Sequence, residues 1–178
     1  MWKMNAFRRR WSSQAGITMI EVLMASTILT VGSLGMVGLI VGSIATNNRN
    51  RLDSTQTMLA ESILEQITST IIGTGTSSLT DCANTPWTIA TALGGAPLSG
   101  SAIDFSQATV ANYYMDYVVN TPCASTGAPQ GVYDVRWNVQ LVGTTTTYLL
   151  TVSARMKNHG EGNLLFSAPV TLRVLAGN

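Results

Sequence analysis

Hydrophobic positions along this chain change period twice. From Ile17 to Asn48 the only charged side chain is Glu21, and the next charge is Arg49. Residues 22–45 (VLMASTILTVGSLGMVGLIVGSIA) are uncharged throughout. As a helix they would span about 36 Å at ~1.5 Å per residue, enough for a ~30 Å hydrocarbon core with modest tilt. Beyond Arg49 the pattern becomes one-sided: Leu52, Leu59, Ile63, Ile67 and Ile71 recur at seven and then four residues, widened by Ala60 and Leu64, while Glu61 and Glu65 face elsewhere. Gly73-Thr74-Gly75 is a stop signal. The spacing therefore predicts one helix over about residues 18–72, roughly 80 Å long. The period then falls to two. Tyr133, Val135, Trp137, Val139 and Leu141 alternate with Asp134, Arg136, Asn138 and Gln140 in a half-buried strand over 132–142. Gly143–Thr146 predicts a turn, and Tyr148, Leu150, Val152, Ala154 and Met156 a second strand. Lys157–Asn163, which includes His159, reads as a polar turn, and Leu164–Leu175 as a third strand with Pro169 at an edge or bulge. Residues 73–131, rich in Gly, Pro, Ser and Thr, read as a long loop with one strand near 113–119. The fold class expected is α+β: a long N-terminal helix whose second half lays its apolar stripe on an antiparallel β-meander of three to four strands.

Charge sharpens this picture. Charged residues make up 11% of the chain, against ~25% in ordinary soluble domains. The formal net charge of +1 misleads, because four of the ten basic residues (Lys3, Arg8, Arg9, Arg10) lie in the first ten positions. Without them six basic side chains face nine acidic ones, a formal −3. No basic patch remains to track a phosphate backbone, so direct nucleic-acid binding is not expected. The basic cluster before the apolar run outnumbers Arg49 and Arg51 after it, which keeps the N-terminus cytoplasmic and sends the C-terminal part across the membrane. Cys82 and Cys123 both lie in loop-like segments beyond that run, and outside the cytoplasm a disulfide is the leading reading. Closing that loop would stabilise the fold by ~4 kcal/mol in the chain-entropy picture.

No catalytic constellation, metal-ligand spacing or cofactor motif is evident, and the expectation is a protein that is not an enzyme and carries no cofactor. Gly73-Thr74-Gly75-Thr76 follows a helix rather than opening one, the wrong end for a phosphate. Asp81, Asp104, Asp116 and Asp134 are scattered, and Tyr133 and Trp137 sit at core spacing.

The remaining puzzle is Glu21. A carboxylate at the start of a membrane-length stretch costs roughly 2.5–3.5 kcal/mol at mid-bilayer unless it has a partner. Gly16-Ile17-Thr18-Met19-Ile20-Glu21-Val22-Leu23, behind a short basic leader, resembles the class III signal of type IV prepilins and type II secretion pseudopilins. The following Val31-Gly32-Ser33-Leu34-Gly35-Met36-Val37-Gly38-Leu39 is similar to minor pilins of the PilV kind. That resemblance implies a pilin-like fold and cleavage by a prepilin peptidase between Gly16 and Ile17, with N-methylation of Ile17. It implies partners in other pilin or pseudopilin subunits and an inner-membrane assembly platform. Ile17 departs from the usual Phe at the first mature position.

The chemistry agrees with that implication. Cutting after Gly16 leaves an amine on Ile17, and Glu21, one turn further in, presents the opposite charge to the amine of a neighbouring subunit. Glu21 then sets assembly register. Gly32, Gly35, Gly38 and Gly42 offer small surface for close helix packing, at a cost of ~1 kcal/mol of helix stability each, so local softening over 32–42 is expected.

The expected organisation is a leader at 1–16, a membrane or filament-core helix at 17–45, its amphipathic continuation at 46–72, and a periplasmic or extracellular β domain at 73–178. The function expected is that of a minor pilin joining or priming a type IV pilus at the cell surface. A minor pseudopilin of a type II secretion system, a DNA-uptake pilin and a signal-anchored surface binding domain that never polymerises are the alternatives. A cleaved secretory signal ending at Ser43-Ile44-Ala45 is opposed by an apolar core about twice the usual ~7–15 residues.

Overall fold

The computed structural model describes residues 16–70, 72–143, 146–158 and 168–177. The basic leader, Ile71 of the apolar stripe, His159 and the first part of the predicted third strand lie outside the described residues. The chain divides into two compact units, Met1–Ala45 and Thr46–Asn178. Helix α1 covers Met19–Thr68 and is followed by nine strands: β1 (Thr76–Thr80), β2 (Pro86–Ala90), β3 (Gly94–Gly95), β4 (Leu98–Ser99), β5 (Ala102–Ile103), β6 (Tyr114–Thr121), β7 (Ala128–Leu141), β8 (Thr147–Asn158) and β9 (Val170–Gly177). The fold is α+β, with the amphipathic part of α1 packed on an antiparallel sheet.

Strands β6, β7, β8 and β9 form a meander, each antiparallel to the next, and β3 extends the β6 side by pairing Gly94 and Gly95 with Val139 and Asn138. Tyr133, Val135, Trp137 and Val139 of β7 and Leu150, Val152 and Ala154 of β8 point to one face and are buried there with Leu59, Ala60, Ile63 and Ile67 of α1. Trp137 is wholly buried, and its indole Nε1 donates to the Ala90 carbonyl at 2.9 Å. Its packing role matches its strand spacing. Gly95 has φ of 121°, and a Cβ there would lie 2.5 Å from the Trp137 carbonyl oxygen, so only glycine lets β3 approach β7 this closely.

Four expectations need correction. First, α1 ends at Thr68 rather than near residue 72. The Thr68, Ser69 and Thr70 hydroxyls donate back to the carbonyls of Leu64 and Gln66, terminating the helix before the glycines. Second, residues 73–131 are far more ordered than a loop with one strand. They hold the β1–β2 hairpin and the small β4–β5 hairpin as well as β6. Third, the predicted third strand begins, as far as it is described, only after Pro169, and β9 forms one edge of the sheet. Fourth, the sheet does not have a single covered face. Asp134, Arg136 and Asn138, placed in solvent by alternation, are buried, as are Thr151 and Ser153 of β8.

The β1–β2 hairpin is fastened to β6 through Asp81. One carboxylate oxygen accepts from the Thr85 amide at 2.8 Å; the other accepts from Trp87 Nε1 and the Val118 amide, each at 3.4 Å. Beside it, Cys82 and Cys123 form a disulfide closing a separation of 41 residues.

Ile63 has no exposed surface. Ile63→Ala should therefore cost about 2–5 kcal/mol in chemical denaturation, whereas Met58→Ala, on the solvent side of the same helix, should change stability by less than about 0.5 kcal/mol. Burial pushes the Tyr133 hydroxyl pKa up, opposed more weakly by its hydrogen bond with Thr55 and the Arg51 charge. The unfolded phenol titrates near 10. Tyr133 therefore contributes full stability below about pH 10, lost as pH rises through the higher folded pKa. Denaturation midpoints compared at about pH 9 and about pH 11 should fall less steeply for Tyr133→Phe than for the parent chain.

Candidate functional site

Gly16, Ile17 and Thr18 precede α1, and Thr18 caps it. Its carbonyl accepts from the amides of Glu21 and Val22 at 3.0 and 3.2 Å, and its Oγ1 lies 3.4 Å from the Glu21 amide. Thr18-Met19-Ile20-Glu21 thus has the S/T-x-x-E spacing of a capping box, a helix start signal legible in sequence. The cap fixes where the helix begins and places Glu21 in its first turn, at the positive end of the helix dipole.

Every residue from Gly16 to Asn47 is exposed. Sixteen large apolar side chains of this stretch, from Ile17 to Ile44, are exposed. The polar groups among them are satisfied locally: Ser26, Thr27, Thr30 and Ser33 donate to the carbonyls of Leu23, Met24, Ser26 and Thr30. A hydroxyl bonded back to its own helix can enter hydrocarbon without leaving an unpaired donor. By length and composition this helix can cross a membrane.

Gly32, Gly35, Gly38 and Gly42 interrupt neither the helix nor each other's surface. The helix is continuous through them, and a Cβ at any of the four would meet nothing within 4 Å. At about 100° per residue they fall on one side of the helix, and Glu21 and Ala25 lie on that side too. The arrangement is a strip of low relief with one carboxylate at its beginning.

The other polar concentration is on the second unit, over the sheet face away from α1. Asp134, 1% exposed, receives Arg136 Nε on one oxygen at 2.8 Å; its other oxygen accepts Arg136 Nη2 at 2.9 Å and Arg155 Nη2 at 3.0 Å. The Phe105 ring lies against both guanidinium groups, 5.1 and 4.4 Å from their carbons. Arg136 Nη1 also donates to the Gln107 carbonyl, and Asn138 Nδ2 to the Ala96 carbonyl. The segment from Ala96 to Gln107 is thereby strapped over β7 and β8, which explains why the supposedly solvent-facing residues are buried. Periodicity could not reveal it, because the covering segment lies some thirty residues away in sequence.

The other scattered aspartates are likewise committed to neighbours. Asp116 pairs with Lys157 at 2.7 Å, and Asp104 accepts from the Ser106 hydroxyl and amide, which hold its carboxyl below the usual range. Among the described residues no three His, Cys, Asp or Glu side chains gather as a metal site.

Compared with known proteins, the chain matches no family model, no curated protein and no solved structure.

Removing the Asp134 carboxylate leaves Arg136 buried and uncompensated. Asp134→Ala should lower stability by about 3–5 kcal/mol, and limited proteolysis should cut within residues 96–107 before it cuts in β7 or β8.

Proposed function

We propose that this chain is a structural subunit of the pilin kind, a minor pilin inserted in the inner membrane, cut after Gly16 and assembled into, or priming, a type IV pilus. The observation that carries the reading is the capped start of α1, whose apolar side chains from Met19 to Ile44 are exposed and whose first turn holds Glu21, the single charge between Ile17 and Asn48. Such a surface needs either lipid or other helices around it. One helix provides for both: lipid first, then neighbouring subunits once the chain leaves the bilayer.

Glu21 gives that transfer a register. Cleavage after Gly16 frees the Ile17 amine, and the carboxylate of one subunit meets the amine of the next in a medium of low dielectric, where a paired charge is tolerated and an unpaired one is costly. The strip of Gly32, Gly35, Gly38 and Gly42 lets the neighbouring backbone come close along the rest of the contact. A disulfide-closed β domain suits an oxidising location beyond the membrane. Prepilin peptidase, other pilin subunits and the inner-membrane assembly platform are the partners this reading requires.

Mass spectrometry of the native chain should find N-methyl-Ile17 at its start. Glu21→Ala should leave insertion and cleavage largely intact while removing the subunit from sheared filaments; a mutant recovered in filaments at the parental level would refute the assignment.

A further inference from the structure

The two halves of the Cys82–Cys123 bond meet water differently. Cys82 is 7% exposed, and its amide donates to the Val118 carbonyl of β6 at 3.2 Å. The residue before it, Asp81, is 5% exposed. Cys123 instead lies in a run, 121–126, in which every residue is exposed. Hydrogen bonds that involve no sulfur hold both ends in place. On one side the Asp81 carboxylate accepts from the Thr85 and Val118 amides. On the other, Asn120 Nδ2 and the Gly127 amide donate to the Ala124 carbonyl at 3.1 and 2.9 Å. Gly127 closes this loop so tightly that a Cβ on it would collide with the Pro122 carbonyl oxygen.

We propose that Cys123 is a site of reversible S-thiolation by low-molecular-weight thiols and their disulfides, and that Cys82 is the resolving sulfur. Exchange requires a thiolate to reach one sulfur and displace the other. In the opening direction an external thiolate reaches Cys123, a new S–S bond forms there, and Cys82 leaves with the electron pair of the old one. That leaving thiolate would be shut off from water, one residue from the Asp81 carboxylate, where a second negative charge is costly. The accessible sulfur is therefore paired with the poor leaving group, and the good leaving group with the sulfur that cannot be reached. Because both ends keep their positions, Cys82 attacks Cys123 again and expels the small thiol. In the closing direction the Cys123 thiolate attacks a small disulfide and releases one thiolate, which takes up a proton. Cys82 then loses its proton to water, attacks the Cys123 sulfur and releases the second. Two protein thiols are oxidised and one small disulfide is reduced to two thiols. The inference concerns the second unit alone and stands whether or not the chain assembles.

Oxidised glutathione is the probe for the closing direction. Full-length Cys82→Ser chain, folded in detergent, should take up glutathione at Cys123 at least about tenfold faster than Cys123→Ser chain takes it up at Cys82, and denaturant should erase the difference. Equal rates in the folded chains, or a faster reaction at Cys82, overturn the inference. The parent chain decides the matter if either variant does not fold. Oxidised parent chain is treated with excess reduced glutathione, quenched in acid, alkylated and mapped by peptide mass spectrometry. Glutathione should be found on Cys123 and the alkyl label on Cys82. Glutathione on Cys82, on both cysteines equally, or on neither overturns the inference. Gly127→Ala, which displaces the loop around Cys123, should raise the amount of trapped mixed disulfide by slowing the return attack of Cys82; an unchanged amount overturns the resolving role.

Discussion

A helix that is apolar on nearly every side cannot be stable in water by itself, and residues 19–45 form such a helix. Burial of apolar surface is worth about 25 cal/mol per Å², and here that surface is exposed to whatever medium surrounds the first unit. The remaining features of this unit accommodate the same constraint. Hydroxyls are turned back onto carbonyls, small residues are gathered on one side, and the single carboxylate is held in the first turn where the helix dipole tolerates it. Substituting charge anywhere in the run would add a desolvation cost wherever this apolar surface is covered.

The second unit solves a different problem with few charges. Its sheet is covered on one face by the amphipathic part of α1 and on the other by the strap from Ala96 to Gln107. Covering both faces normally calls for continuous apolar strands. Here the strap-covered face is polar, and it is made tolerable by pairing: Asp134 with two arginines, Arg136 with a backbone carbonyl, Ser153 with Thr171. A buried ion cluster of this kind contributes little net stability but penalises any register or strap position that leaves a charge unmatched. The strap is therefore positioned by polar complementarity, and the helix by apolar burial.

How much of this could be read from the sequence depended on where the covering group came from. The apolar helix, its stripe from Leu52 to Ile67, and strands β7 and β8 were legible because each carries its own period over ten or more residues. So was the pairing of Cys82 with Cys123, there being no third cysteine. The burial of Asp134, Arg136 and Asn138 was not legible, because alternation reports two faces without saying what lies over the second. Strands β1 to β5 escaped because each is two to five residues long, mostly Thr, Ser, Gly and Ala, and too short to show a period. Gln56, buried within the helix stripe, is hidden for the opposite reason: a polar residue at a core position looks like a break in the pattern. At the helix entrance the capping spacing of Thr18 and Glu21 was open to view, yet a carboxylate that serves a local cap and one that awaits a partner have the same sequence.

The Cys82–Cys123 bond also bears on load. A chain held by its helix and pulled through its β domain would lengthen as strands peel away. The bond takes the separation of 41 residues between the cysteines out of that path, removing about 140 Å of possible extension at ~3.4 Å per residue. Tension entering at the β1–β2 hairpin passes straight to the end of β6 through two sulfur atoms. The oxidised domain is in this sense a short tether, and its reduced form a long one.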